Sequence, residues 1–343
     1  MVGIIIILIC IILGTWCLER MKIRFPYFKE FILFLLVVFA GLRYNVGVDY
    51  PIYEDIFNDP YSVHALAIEP IWLGINKVLR ALGMGVRVFF FLTSWLVVWG
   101  FYIGIRKMSF HFYISILLFV LCGFYFESMN IVRQYVAVSL LFVSFSYFVE
   151  KKSRKYFLCV LCAILFHYSV LVILPLIWIS RFKYPVWLLI ITLFVSAFYG
   201  KILFNLIVEY IMPSFTEIGY YQYGVEDFDS GVSSGVLRLF YNLFGIFILS
   251  LYAKQNQIHP YLHILVNMFV MGLLLYNIFY LFMPARRLYH YFFPYLILLF
   301  PYYLRCFNRI SQVIILTGTC LVFGIFLAKS NWDVLYNFDF SFF

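Results

Sequence analysis

The sequence predicts an all-α polytopic membrane protein with about ten transmembrane helices and one re-entrant helical hairpin. The first observation is composition: of 343 residues, 65% are hydrophobic and only 12% are charged, whereas soluble domains carry about 25% charged residues. The second is that apolar runs approach the roughly 20 residues that a helix needs to cross a bilayer. The third is that basic residues occupy the short connections between these runs. We therefore predict a single transmembrane domain over residues 1–343 and no soluble catalytic domain.

The apolar runs define the candidate spans in chain order. They are residues 1–18, 27–42, 87–105, 110–126, 131–149, 186–208, 236–253, 261–283, 288–304 and 310–328. The first run lacks a basic start and an obvious cleavage site, and basic residues follow it instead. We expect a retained first helix with its N-terminus outside rather than a cleaved signal peptide.

The segment from Tyr156 to Ile179 is long enough to cross the membrane once, yet basic loops flank it on both sides. Two half-helices that turn near His167 would return both loops to the cytoplasm, and broken helices are allowed at membrane depth when protein covers them. A full crossing is the alternative, and the number of basic residues inside hardly separates the two. We predict the hairpin because it leaves most acidic residues outside or buried, although acidic residues orient a chain weakly.

Two loops are then predicted on the outer face, residues 43–67 and 210–235. The first is followed by apolar residues at helical spacing from Ile68 to Leu82, which predicts a helix along the membrane surface. The second is rich in tyrosine, glycine and acids, a composition that suits sugar binding and equally suits an ordinary solvated loop.

Composition also bears on partners. The net charge of +9 does not indicate nucleic acid, because the basic residues are scattered rather than gathered in a patch. All seven cysteines fall within apolar runs or at their ends, so we expect no disulfides. Cys159 and Cys162 have CxxC spacing, but no second Cys or His cluster completes a metal site. We therefore predict no metal, no cofactor and no nucleic-acid partner.

Several arginines lie beside or within the apolar runs. They are Arg43, Arg133, Arg238, Arg286 and Arg287. A charged side chain at mid-membrane costs roughly 2.5–3.5 kcal/mol on insertion scales and usually marks a functional site. Guanidinium groups suit a pyrophosphate, since each offers parallel donors to phosphate oxygens. The alternative is that each arginine reaches out to lipid headgroups.

Two histidines, His167 and His290, sit in apolar surroundings near these arginines. Such a histidine either takes part in chemistry or forms a hydrogen bond between helices. The sequence contains no HExxH, GxSxG, Walker loop or paired DxD motif, so protease, hydrolase, ATPase and metal-dependent transferase functions have no support.

Three stretches carry recognisable motifs. Arg43–Phe57 contains the pattern R-x-x-x-G-x-D-Y-x-x-Y, Met129–Leu176 contains an R-Q pair followed by F-H-x-S, and Arg286–Pro301 contains a late R-x-x-x-Y-F block. In these motifs and their order, the chain resembles the EpsG/Wzy-like polysaccharide polymerases of bacterial inner membranes, which join lipid-linked oligosaccharide repeat units.

The resemblance implies a GT-C-like helical glycosyltransferase without a metal, acting at the periplasmic face on undecaprenyl-pyrophosphate-linked donor and acceptor oligosaccharides. It also implies a membrane-lipid environment and a chain-length regulator protein as a candidate partner. The candidate catalytic residues are Asp49, His167 and His290. The candidate substrate-binding residues are Arg43, Tyr50, Tyr53, Arg133, Gln134, Ser169, Arg238, Arg286 and Arg287.

Two other classes of function compete with the polymerase. A transporter or flippase of lipid-linked sugars would use the same cations to bind a pyrophosphate headgroup, although the chain lacks the repeated halves that transporters often show. A membrane O-acyltransferase could use a histidine as its base.

Overall fold

The structure, a computed structural model, describes residues 2–21, 27–47, 49–66, 68–210, 235–254 and 260–329. Within these ranges the chain is helical and contains no β-strand. The helices of the first half are α1 (Val2–Arg20), α2 (Phe28–Gly41), α3 (Tyr50–Asn58), α4 (Val63–Leu66), α5 (Pro70–Ala81), α6 (Val86–Met108), α7 (Phe112–Leu121), α8 (Phe124–Asn130) and α9 (Val132–Val149). Those of the second half are α10 (Ser153–Phe166), α11 (Ser169–Ile179), α12 (Val186–Tyr210), α13 (Gly235–Ala253), α14 (Leu262–Ile278), α15 (Met283–Arg286), α16 (Leu296–Leu304) and α17 (Arg309–Lys329).

Five of the described helices are long and apolar enough to cross a membrane, and a bent helix pair makes a sixth candidate. The five stretches are Val86–Met108, Val132–Val149, Val186–Ile207, Gly235–Ala253 and Arg309–Leu327. The prediction of an all-α polytopic membrane protein is confirmed at this level. The count of ten spans and the GT-C-like fold stay predictions.

Two predicted spans are not continuous helices. The run 110–126 is divided into α7 and α8, which are bent by 50°, because Gly123 between them has a φ of 82° that other residues rarely adopt. The run 288–304 begins with two 3₁₀ stretches, Arg287–Tyr291 and Phe293–Tyr295, before α16. Pro294 lies in the second stretch, where its ring removes a backbone donor and restricts the residue before it.

The predicted helix break near His167 is present. Helix α10 ends at Phe166, His167 is extended (φ −158°, ψ 115°), and α11 begins at Ser169. The predicted helix between Ile68 and Leu82 is also present as α5, and its location along the membrane surface stays a prediction. The hairpin itself stays a prediction, and the outer loop 210–235 lies almost wholly outside the described residues.

The described residues group into two compact units, and the predicted single transmembrane domain stays a prediction. The first contains the chain up to Leu171 and from Phe300 onward, and the second runs from Val172 to Leu299. In the first unit, α6 lies very close to α9 through two glycines. An added Cβ at Gly100 would lie 2.8 Å from Ser139, and one at Gly104 would lie 2.4 Å from the ring of Phe142. This close packing fixes α9, which carries Arg133.

In the second unit, buried amides join three helices. Asn242 on α13 and Asn277 on α14 donate to each other's carbonyl oxygens at 2.9 and 2.8 Å, and Asn277 also donates to Ser196 on α12 at 3.0 Å. Each amide thereby satisfies its partner, as buried polar groups require. The network sets the register of α12, α13 and α14.

The hairpin predicts a labelling pattern. In a cysteine-free background, the Lys183→Cys variant is expected not to react with a membrane-impermeant thiol reagent added from outside. The reason is that the hairpin keeps the loop at position 183 in the cytoplasm. Tyr61→Cys, at a position 85% exposed in the first outer loop, is the positive control. Labelling of both sites on intact cells would mean that residues 156–179 cross the membrane.

Candidate functional site

Glu69, Arg133 and His167 meet at one place in the first unit, and we call this group the Glu69 cluster. Each side chain is placed by a helix boundary. Glu69 caps α5 in an extended conformation (φ −62°, ψ 135°), as expected for a residue before a proline. Arg133 lies in the first turn of α9, and His167 ends α10.

The Glu69 carboxylate joins the other two side chains. Its Oε2 accepts from Arg133 Nη1 at 2.7 Å, and its Oε1 lies 2.6 Å from His167 Nδ1. Only 5% of the Glu69 side chain is exposed, against 28% for Arg133 and 20% for His167. The cluster therefore has a buried anion at its centre and a base and a cation that reach solvent.

The start of α5 also binds the backbone groups that the helix break releases. Trp72 donates from Nε1 to the Phe166 carbonyl at 2.9 Å, and the Tyr168 N–H donates to Glu69 Oε1 at 3.4 Å. Buried backbone groups left without partners destabilise a fold, most of all in lipid. The break at His167 is thus held by α5.

Glu69 remains ionised over the whole physiological range. Burial raises its pKa, but the hydrogen bond from His167 and the charge of Arg133 outweigh burial and lower the pKa from 4.5 to about 2. Since the folded-state pKa is depressed, the stabilisation is complete above about pH 4.5 and is lost as the pH falls towards 2. Any change in activity between pH 5 and 8 must come from another group.

Arg133 and His167 both keep nitrogen atoms available for a ligand. Within the described ranges, Arg133 Nη1 donates to Glu69, the Arg133 side chain also contacts the Tyr53 hydroxyl, and His167 Nε2 makes no hydrogen bond. Neither residue has a buried side-chain nitrogen without a partner. Their remaining donors and acceptor can therefore face a substrate.

The first predicted motif lies next to this cluster. Tyr53 on α3 is buried, and its hydroxyl accepts from the Arg133 backbone N–H at 3.4 Å. Asn130 accepts from the Asp49 backbone N–H at 3.1 Å. Gly47 adopts a φ of 98° and comes so close to Asn130 that an added Cβ would lie 3.1 Å from its Oδ1. The glycine of the motif is therefore needed for the turn that places Asp49.

The other predicted residues of the first unit surround this region. Arg43 is only 2% exposed; its Nη1 donates to the Ala40 carbonyl at 2.6 Å and to Ser94 at 2.9 Å. Its guanidinium carbon lies 4.5 Å from the centre of the Phe90 ring, and Tyr50 stacks on the same ring at 4.3 Å. Gln134 is buried on α9, and Ser169 begins α11.

The remaining predicted residues belong to the second unit. Arg238 donates to the Ala197 carbonyl at 3.3 Å and lies 4.3 Å from the centre of the Tyr280 ring. Arg286 donates to the Tyr280 carbonyl at 3.0 Å. Arg287 begins a 3₁₀ stretch in which His290 is buried against Tyr289, at 4.1 Å between ring centres. The convergence of these arginines with the first group stays a prediction.

Two residues of the site were not predicted. They are Glu69 and Asn130, and neither is among the candidate residues that the sequence indicates. A Glu-Pro pair at the start of an amphipathic helix, in a chain with only 16 acidic residues, is a signal that could have indicated Glu69. In the part of the chain that the structure describes, no group of three metal-ligating side chains is present.

The Trp72 contact makes a testable prediction about stability. Trp72→Phe keeps the buried ring but leaves the Phe166 carbonyl without its donor, so we expect the free energy of unfolding to fall by about 1 kcal/mol. Thermal unfolding in detergent measures the change. Trp99→Phe is the control, because Trp99 is 39% exposed; equal effects of the two substitutions would contradict the assigned role of the hydrogen bond.

This chain has several candidate spans and an ion-paired cluster beside a helix break. These features place it in the class of polytopic membrane proteins that contain a polar site. The EpsG family model matches residues 26–342, nearly the whole chain. The chain therefore belongs to the EpsG family, a family of polysaccharide-polymerase-like membrane proteins. No curated protein and no solved structure matches it.

Proposed function

We propose that this protein is a polysaccharide polymerase of the bacterial inner membrane. It joins undecaprenyl-pyrophosphate-linked oligosaccharide repeat units on the periplasmic face, and the product is an O-antigen or an exopolysaccharide or capsule. The observation that carries the proposal is the meeting of Arg133 and His167 at Glu69, because a base and a phosphate-binding cation are the two groups that this transfer needs.

The reaction is a single glycosyl transfer. A hydroxyl oxygen of the acceptor sugar forms a bond to the anomeric carbon of the donor glycan. The bond between that carbon and the pyrophosphate oxygen breaks, and its electron pair leaves with undecaprenyl pyrophosphate. The hydroxyl proton goes to a base, and the acceptor glycan grows by the transferred donor glycan.

His167 is the base in this scheme. The ionised Glu69 carboxylate only accepts hydrogen bonds, so the short contact at 2.6 Å requires a hydrogen on Nδ1. The lone pair of neutral imidazole then lies on Nε2, which can take the acceptor proton. Asp49, beside Tyr53 on α3, stays a second candidate.

Arg133 binds the pyrophosphate of the donor. The negative charge that develops on the leaving group needs fixed cations, and a guanidinium supplies charge and several directed donors without a metal. Arg43 stays a predicted ligand of the same phosphates, and Arg238, Arg286 and Arg287 stay predicted substrate-binding residues. A periplasmic site follows from the predicted topology, because Glu69 lies directly after loop 43–67, which is predicted outside.

The test is reconstitution of the purified chain with lipid-linked repeat units and no nucleotide. A ladder of glycans longer by whole repeat units supports the proposal, and analysis of the organic phase is expected to show release of undecaprenyl pyrophosphate. Transbilayer movement of the substrate without chain growth would make the protein a transporter. Label transfer from an acyl donor would make it an O-acyltransferase.

A further inference from the structure

We propose that Glu69 is a positioning residue for glycosyl transfer: it fixes the tautomer of His167 and keeps the cluster neutral until the acceptor proton arrives. The inference rests on the proposed function. Glu69 reaches the substrate only through its two neighbours, so its effect is exerted through their geometry and charge.

Glu69 orients the imidazole of His167. Each Glu69 oxygen has its own side-chain partner, with Oε2 on Arg133 and Oε1 on His167. Pro70 restricts the Glu69 backbone, and the residue is only 4% exposed. A carboxylate held in this way fixes the imidazole plane and directs Nε2 away from α5.

The net charge of the Glu69 cluster changes during the reaction. With His167 as neutral imidazole, the form that can accept a proton, the cluster holds one guanidinium and one carboxylate, so its net charge is zero. When His167 takes the acceptor proton, the cluster gains one positive charge while the leaving pyrophosphate gains negative charge. An interaction that strengthens only as the reaction proceeds lowers the barrier without tightening the binding of substrate.

Three groups near His167 govern its protonation. Glu69 faces it from the start of α5 and Arg133 from α9, and Tyr53 on α3 contacts both the backbone N–H and the side chain of Arg133. Tyr168, its neighbour in sequence, is 51% exposed. Of these groups, only Glu69 is an anion, so only Glu69 stabilises the imidazolium form of His167. Removing its charge is expected to move the acid limb of the pH–rate profile to lower pH.

The experiment uses Glu69→Gln in the full chain reconstituted in nanodiscs, with the lipid-linked repeat unit as substrate. We expect kcat to fall on the order of 10²-fold, KM to change less than threefold, and the acid limb to move to lower pH. Glu69→Gln is expected to slow the His167→Gln variant much less than it slows the wild type, because the larger part of the effect passes through His167 and only the remainder through Arg133.

The control is a second carboxylate–imidazole pair on the first outer loop. Asp55 Oδ2 lies 2.9 Å from His64 Nδ1, but both side chains are about half exposed. Asp55→Asn is expected to keep the wild-type rate and pH profile. A chain in which Asp55→Asn and Glu69→Gln behave alike would overturn the inference.

Three outcomes separate the possibilities. A wild-type rate and profile in Glu69→Gln overturns the inference and leaves the polymerase intact, whereas a wild-type protein that makes no ladder overturns the proposed function itself. A slower Glu69→Gln with an unchanged acid limb, and a loss that multiplies in the double variant, would make Glu69 purely structural. If Glu69→Gln does not fold, Glu69→Asp replaces it in the experiment. A smaller shift of the acid limb to lower pH then supports the inference, and an unchanged pH–rate profile overturns it.

Discussion

Replacing His167 by glutamine is expected to stop glycan growth without unfolding the protein. Glutamine keeps a hydrogen-bond donor for Glu69 and a similar length, but it cannot take a proton, so the transfer loses its base. The loss is expected to be on the order of 10²–10⁴-fold in kcat, the usual contribution of a general base. Single-turnover assays with lipid-linked repeat units measure it, and substrate binding is expected to remain within threefold of wild type.

Two further variants serve as comparisons for His167→Gln. His64→Gln changes an exposed histidine of the outer loop and is expected to leave the rate unaltered. His167→Ala is expected to be as slow as His167→Gln. If His167→Gln retains full activity and His167→Ala fails to fold, His167 holds the helix break and the base is another residue.

Replacing Arg133 by lysine is expected to reduce polymerisation on the order of 10²–10³-fold while protein levels stay near normal. Lysine keeps the charge and can keep the ion pair with Glu69, but it loses the directed donors that Arg133 presents beside that bond. The estimate follows the loss that accompanies removal of one donor to a developing anion. The same assay measures it, together with the dissociation constant of the donor lipid.

The controls are two other arginines. Arg80→Lys, on α5, alters a side chain that donates to the Asn58 carbonyl at 3.3 Å and is expected to have little effect. Arg43→Lys removes a guanidinium buried against Phe90, so we expect a lower melting temperature as well as lower activity. Full activity of Arg133→Lys would exclude Arg133 as a phosphate-binding fork.

The sequence predicted the features that depend on local chemistry. The apolar runs indicated membrane helices, the spacing of Ile68 to Leu82 indicated α5, and His167 in a long apolar segment indicated the break. The Glu-Pro pair could have indicated Glu69, but its pairing with Arg133 and His167 could not be predicted, since 64 and 98 residues separate it from them along the chain. Such contacts depend on how helices pack.

The interruptions within two predicted spans have a similar explanation. The run 288–304 is apolar enough to read as one helix, but hydropathy does not register that Pro294 removes a backbone donor in its middle. The bend at Gly123 arises in the same way from a backbone angle rather than from polarity. Composition predicted where the chain is apolar, while backbone restrictions decided where its helices end.

The break held by α5 has a consequence for engineering this protein. A search for heat-resistant variants would favour substitutions that fuse α10 and α11 into one uninterrupted helix, because a continuous helix satisfies its own backbone. Such a variant would turn the imidazole at position 167 away from Glu69 and lose its reactivity. Substitutions that raise thermal stability at this position are therefore expected to lower the catalytic rate. Screens that select only for heat resistance are expected to enrich inactive variants at this position.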